Sequence, residues 1–171
     1  MKNLCIVVFL ALILTGCSGA AWETVDDVLP VETVPVWQKE AYEILLGIPE
    51  GVSLLAENET GAFFATDHGE LEIETATFLA SGVEQAIRHV SGFSNDQLTI
   101  LKTQRFGLPE YQFAWVAQTE QGARLYRADL VMDGTCCYAV VCSNLETGGD
   151  QAAFQARQVF STFGLYQDEG V

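Results

Sequence analysis

The sequence predicts an α+β fold, with an antiparallel sheet flanked by helices in a three-layer α/β/α sandwich. Three observations predict it. Two segments, around residues 83–90 and 152–163, carry apolar residues at helical spacing. Between them run strand-like segments joined by turns short enough to demand antiparallel neighbours. Residues 135–143 are apolar on both faces, as a strand covered on both sides requires.

Taken in order, Tyr42, Ile44, Leu46 and Ile48 fall on alternate positions and predict a first strand, stopped at Pro49-Glu50-Gly51. Residues 52–56 and 62–66 predict two short strands, and Asp67-His68-Gly69 a turn. A strand follows over 69–78, with Leu71 and Ile73 on one face and Glu70, Glu72 and Glu74 on the other. Ser81-Gly82-Val83-Glu84 reads as a capping box. It opens an amphipathic helix whose apolar stripe is Val83, Ala86, Ile87 and Val90. Arg88 and His89 suit the negative end of that helix, and Gly92 is placed to end it.

Strands are predicted next over 98–106, 111–119, 123–132 and 135–143. Turns at Gln121-Gly122 and Asp133-Gly134 link the last three into a meander. In the final strand Cys136, Tyr138, Val140 and Cys142 share one face, and Cys137, Ala139 and Val141 share the other, which places it centrally. A closing helix starts near Asp150, with Ala152, Ala156, Val159, Phe160 and Phe163 as its stripe.

The chain has 171 residues, 49% hydrophobic and 18% charged, the balance of one globular domain with core enough to need no metal or disulfide staple. Its 8 Lys+Arg against 23 Asp+Glu give a net charge of -15. Such a surface repels phosphate backbones, so no nucleic-acid partner is expected, and it disfavours electrostatic docking on anionic lipid. Membrane attachment would need another source.

The N-terminal segment supplies one. Lys2 precedes LCIVVFLALIL, an apolar run too short to span a bilayer and suited to the core of an export signal. Its end, Leu14-Thr15-Gly16-Cys17, resembles the lipobox of bacterial lipoproteins. The resemblance implies a diacylglycerol joined to the Cys17 thiol, cleavage just before Cys17, and anchoring at the extracytoplasmic face of a bacterial membrane. Gly16 leaves room beside the scissile bond and Cys17 supplies the sulfur nucleophile. Residues 1–16 are thus expected to form a signal peptide, 17–37 an acidic tether carrying Pro30 and Pro35, and 38–171 the domain. The tether reaches at most about 60 Å when extended. Trp22 within it either sits near the membrane interface or docks on the domain.

The order of elements, with the segments LLGIPEGVSL, GVEQAIRHVSG, EYQFAWVAQTEQGARLYRADLVMDGTCCYAVVCS and FQARQVFSTFGL, resembles the PsbP-like fold. That fold is shared by the photosystem II extrinsic protein PsbP, the Mog-type Ran-binding protein and several bacterial lipoproteins. The resemblance spans residues 42–165 and implies a binding or assembly role. It transfers no ligand residue, because no site motif matches.

Candidate chemistry is sparse. Glu70, Glu72 and Glu74 form a carboxylate row that, with Asp67 or Glu57, is a candidate ion-binding set for calcium. A solvated face is the favoured reading, because no calcium-loop pattern accompanies them. Tyr111, Phe113 and Trp115 share a strand face and are a candidate aromatic contact surface for a sugar or peptide, with core beneath a helix the favoured reading. Cys136 and Cys142 lie about 20 Å apart along one extended strand and cannot bridge each other. With Cys137 they read as small buried hydrophobes. His68 reads as a turn residue and His89 as a helix-end residue, in no metal or catalytic motif.

The expectation is therefore a lipid-anchored envelope protein. It has no catalytic residue, no metal and no cofactor beyond the lipid on Cys17, and its domain binds a protein partner. The alternative is a lipoprotein that binds a solute, a wall polymer or a metal ion.

Overall fold

The computed structural model describes residues 42–145 and 149–167. The predicted signal peptide, Cys17 and the acidic tether lie outside the described residues. In chain order the elements are β1 (Glu43–Leu45), β2 (Val52–Asn58), β3 (Gly61–Thr66), β4 (Leu71–Leu79), α1 (Val83–Ser91), a 3-10 turn (Asn95–Gln97), β5 (Ile100–Arg105), β6 (Leu108–Thr119), β7 (Gly122–Asp133), β8 (Cys136–Leu145), α2 (Gly149–Thr162) and β9 (Gly164–Tyr166).

Seven strands form one antiparallel sheet in the order β2-β3-β4-β8-β7-β6-β5. β8 stands in the middle, as its two apolar faces predict. Its alternate residues feed two separate cores. Tyr138, Val140 and Cys142 pack with Leu71, Ile73, Val131 and the α2 residues Ala156 and Val159. Cys137 and Ala139 pack on the opposite face with Phe113, Leu130, Met132 and the α1 residues Ala86 and Ile87. Gly61 permits the close approach of β3 to β4, since a Cβ there would stand 2.0 Å from the carbonyl oxygen of Thr75.

The expected three-layer α/β/α sandwich is corrected by this architecture. The described residues hold nine strands and two helices, and the large antiparallel sheet dominates. The reason is length. Helices of nine and fourteen residues reach about 14 and 21 Å, whereas seven strands side by side extend across about 29 Å. Each helix roofs a patch of its face, and on the α2 side β1 and β9 supply part of the cover.

Other differences are local. The first predicted strand shrinks to β1, which pairs with β9 instead of joining the large sheet, Ile44 opposite Leu165. Tyr138 ties this entry segment down by accepting a hydrogen bond from the Tyr42 N–H at 3.1 Å. The Ser81–Glu84 capping box does not form. Gly82 is the N-cap, and Gln85 Oε1 accepts from the Ser81 N–H at 2.7 Å. Gly92 ends α1 in the left-handed conformation, as predicted. β6 starts at Leu108 rather than 111, because Phe106 and Gly107 both take positive φ (54° and 78°) and close a two-residue hairpin from β5. That turn sets the register placing Thr103 opposite Glu110.

Candidate functional site

On the α2 side of the sheet, strand alternation brings together Arg105 of β5, Glu110 and Gln112 of β6, and Arg127 and Asp129 of β7. Arg105 is the hub. Its Nε lies 2.5 Å from Glu110 Oε1, its Nη2 lies 2.9 Å from Asp129 Oδ2, and its Nη1 donates to the Phe163 carbonyl at 3.0 Å. The guanidinium also sits 5.2 Å from the Phe163 ring centroid. The Thr103 hydroxyl donates to Glu110 Oε2.

One cation therefore serves two buried carboxyl groups, and the pair divides unequally. Burial pushes Asp129 up to about 7, the neighbouring Glu110 adds to this, and Arg105 and Gln112 oppose it. For Glu110 burial also pulls upward. Hydrogen bonds from Thr103, Arg105 and Asp129, with the charge of Arg105, outweigh that pull and hold it below the usual carboxylate range. Asp129 is the member that keeps the proton as the pair ionises.

A cavity of about 560 Å³ opens beside this network, lined among others by Leu98, Thr99, Gln112, Arg127, Asp129 and Phe160. Asp129 is 1% exposed, and its Oδ1 makes no hydrogen bond of good geometry among the described residues. Arg127 is half-buried, and its one hydrogen bond among the described residues is to the neutral Asn144 Oδ1, at 2.7 Å.

The opposite face holds the residues singled out from the sequence. Glu72 does not sit in a solvated row. Its Oε2 is 2.8 Å from Nη1 of Arg124, which is 2% exposed and also donates to Ser143 Oγ at 3.0 Å and to the Gly69 carbonyl at 2.5 Å. Glu70 lies in the turn before β4, and Glu74 is exposed on it. Among the described residues no group of three or more His, Cys, Asp and Glu is arranged to hold a metal ion. Phe113 lies in the core under α1, with Tyr111 packed against it and Lys102 Nζ 5.8 Å from the Tyr111 centroid. Trp115 stacks on Phe113 and on Tyr126, the latter at 5.1 Å and 8° between planes. His68 is exposed in its turn, and His89 lies against Phe78 at 4.2 Å.

The three described cysteines are free. Burial pushes the thiols of Cys137 and Cys142 up to about 11 and about 12, leaving them protonated and poorly nucleophilic. Alkylation of the native protein at mildly alkaline pH, mapped by mass spectrometry, should modify Cys136 and spare Cys137 and Cys142 until the domain is unfolded. Equal modification of all three in the native state would show that β8 is not buried as described.

With the geometry set out, the chain can be compared with known proteins. No family model matches it, and no curated protein matches its sequence. Its fold has solved counterparts. The solution structure of the cyanobacterial PsbP protein CyanoP from Synechocystis is similar over 81% of this chain and 100% of that one, with a TM-score of 0.51 at 12% identity. The crystal structure of LpqN, described as involved in cell envelope biogenesis of Mycobacterium tuberculosis, is similar over 77% and 87%, with a TM-score of 0.50 at 12% identity. A crystal structure from Bacteroides thetaiotaomicron is similar over 74% of this chain with a TM-score of 0.52 at 13% identity, and there the chain spans 46% of the other protein. At such identities the likeness is one of fold, and the PsbP-like resemblance read from the element order holds at that level.

The Arg105–Glu110–Asp129 network and the Arg124–Glu72 pair were not read from the sequence. A signal was present for Asp129, a lone acidic residue interrupting the apolar run of Ala128, Leu130, Val131 and Met132.

Proposed function

We propose that this chain is a lipid-anchored protein of the bacterial cell envelope, held at the extracytoplasmic face through Cys17, whose domain binds or assembles without catalysing a reaction. The fold it shares with an envelope-biogenesis protein supports this reading, as does the lipobox-like end of the first segment. No helix among the described residues is long and apolar enough to cross a membrane, which accords with an anchor of another kind. The two buried thiols are unsuited to nucleophilic chemistry, and Arg105 already engages both carboxyl groups of its network.

The observation that carries a protein-partner role is the outer strand β2. It is an edge of the sheet, bulged at Leu55, and presents Leu54 and Leu55 at 50% and 63% exposure. An edge strand with exposed leucines offers unpaired backbone groups and apolar contact to a second protein. The cavity at Asp129 and Arg127 favours a second reading, a binder of small solutes.

Anchoring is tested by fractionating cells that express the full chain or Cys17→Ala. The parent should partition with membranes and give an intact mass beginning at a diacylated Cys17. The variant should lose both the lipid and this cleavage. A parent protein recovered without lipid would remove the anchored reading.

A further inference from the structure

We propose that the cavity beside α2 binds a single-chain anionic amphiphile of the fatty-acid class, its carboxylate held by Arg127 and its aliphatic tail laid across β6 toward β5. The proposal deepens the solute-binding reading and rests on it.

Charge is the first observation. The chain carries far more acids than bases, yet among the described residues Arg127 and Arg157 have no carboxylate within ion-pair distance. Arg88, Arg105 and Arg124 each have one. The two unpaired arginines stand at the same hollow. Arg127 lines it from β7, half-buried, with the neutral Asn144 Oδ1 accepting its one hydrogen bond among the described residues. Arg157 is exposed on α2. With Ala153 and Phe160 it falls at i, i+4 and i+7, and Phe160 lines the hollow from that flank of the helix. Asp129 lines the hollow too, but it is buried and its charge is answered by Arg105. The unanswered charge is positive, so the complementary ligand is an anion.

The second observation is the bare sheet beside those arginines. Antiparallel pairing puts Leu101 opposite Gln112, Ala114 opposite Arg127 and Val116 opposite Leu125, all on the face that α2 roofs. The α2 core takes in β4, β7 and β8. Leu101 and Val116 stay 57% exposed, and Ala114, in the row between them, is exposed as well. A small residue flanked by larger apolar ones makes a trough, which runs from Arg127 across β6 to the edge strand β5. Two strand spacings make that run about 10 Å, within reach of a short acyl chain. The tail covers apolar surface otherwise left to water, and the carboxylate meets the guanidinium in charge-assisted hydrogen bonds. A tail without a charge leaves Arg127 unanswered, and a small anion leaves the trough wet.

The test is calorimetric titration of the full chain at pH 7 and moderate salt, in a non-ionic detergent that is also present in the syringe. Octanoate carries head and tail, 1-octanol the tail alone and acetate the head alone. Octanoate should bind saturably, and each half-probe at least about tenfold more weakly. Arg127→Gln should lower octanoate to the affinity of octanol and leave octanol unchanged. Its partner is a neutral amide, so the fold should survive, which an unchanged thermal transition checks. Arg157→Gln, at an exposed position, should weaken octanoate by about twofold to threefold. Ala114→Trp fills the trough from an exposed position and should weaken octanoate and octanol alike. Lys102→Gln removes a cation beside Tyr111 on the opposite face of the sheet and should change nothing. If Arg127→Gln shifts the thermal transition, the other two charge variants decide, and equal effects of Arg157→Gln and Lys102→Gln would overturn the proposal. Octanol binding as tightly as octanoate, or octanoate indifferent to a folded Arg127→Gln, would overturn the anionic assignment and leave a solute site of other chemistry. No saturable heat with any probe would remove the solute-binding reading along with it.

Discussion

Replacing Arg105 by Met should destabilise the domain by about 3–5 kcal/mol at neutral pH, the cost of removing one partner from a buried ion pair. The corresponding fall in Tm is about 10 °C. The substitution keeps most of the side-chain length over the Phe163 ring, so the effect isolates charge and hydrogen bonding. What remains is Glu110 at 4% exposure and Asp129 at 1%, with the guanidinium that served both removed. The Phe163 carbonyl at the junction of α2 and β9 loses its donor as well. The cost should shrink toward pH 5, because both carboxyl groups can then take up protons and shed the buried charge. Arg88→Met is the control. Arg88 pairs with Glu84 across one helical turn, with both side chains more than half exposed, and its loss should change stability by no more than about 0.5 kcal/mol. Equal losses for the two variants in thermal or denaturant unfolding would show that the Arg105 network is not desolvated.

The contrast between those two arginines also marks how far the sequence could be read. Arg88 was legible as a last-turn helix residue, because helical spacing alone decides its place, and the same spacing sets it beside Glu84 in the structure. Arg105 was not. Its partners lie on β6 and β7, and their pairing depends on a turn at Phe106-Gly107 that carries no ordinary signal, since phenylalanine seldom takes positive φ. With the start of β6 misplaced by three residues, nothing put Glu110 opposite Thr103. β8 and the meander were legible because alternation over eight or more residues, closed by Asp133-Gly134 and Gln121-Gly122, leaves little freedom. β1 and β9 are three residues each, too short for a periodic signal, and their pairing is set by what the α2-side core must cover.

The three-layer expectation failed at a related point. Two apolar faces on β8 require two covers, and that much is true of the structure. They do not require that both covers be layers of helix. Of the candidate residues, Trp115 and Glu72 turned out to be engaged by Tyr126 and Arg124, partners on β7 that a reading of one strand at a time cannot supply.

Stability should rise as the pH falls from 8 toward 5, and Asp129→Asn should flatten that rise. Asp129 titrates near 3.8 when unfolded and at about 7 in the fold. Between those values the folded state binds the extra proton. The contribution of this group is therefore full below about pH 4 and is lost as the pH rises through 7. Glu110 has the opposite sign. Its folded value is lowered from 4.5, so its contribution is present above that value and lost as the pH falls below it. The two together put the network's optimum on the acid side of neutrality, at about pH 5. The swing is a few kcal/mol at most, since one pKa unit is worth about 1.4 kcal/mol and the two carboxyls share the proton. Self-repulsion from the net charge of -15 pushes in the same direction. Moderate salt screens it in parent and variant alike, so the difference between the two curves isolates Asp129. Asparagine keeps the shape, presents no charge to bury, and leaves Arg105 paired with Glu110. Melting curves at matched ionic strength should accordingly show the parent losing stability above pH 5 and the variant losing much less, with the two furthest apart near pH 8. A parent whose Tm is level or rising over that range, or a variant with an unchanged slope, would mean that Asp129 is ionised in the fold and that Arg105 carries both carboxylates as full charges.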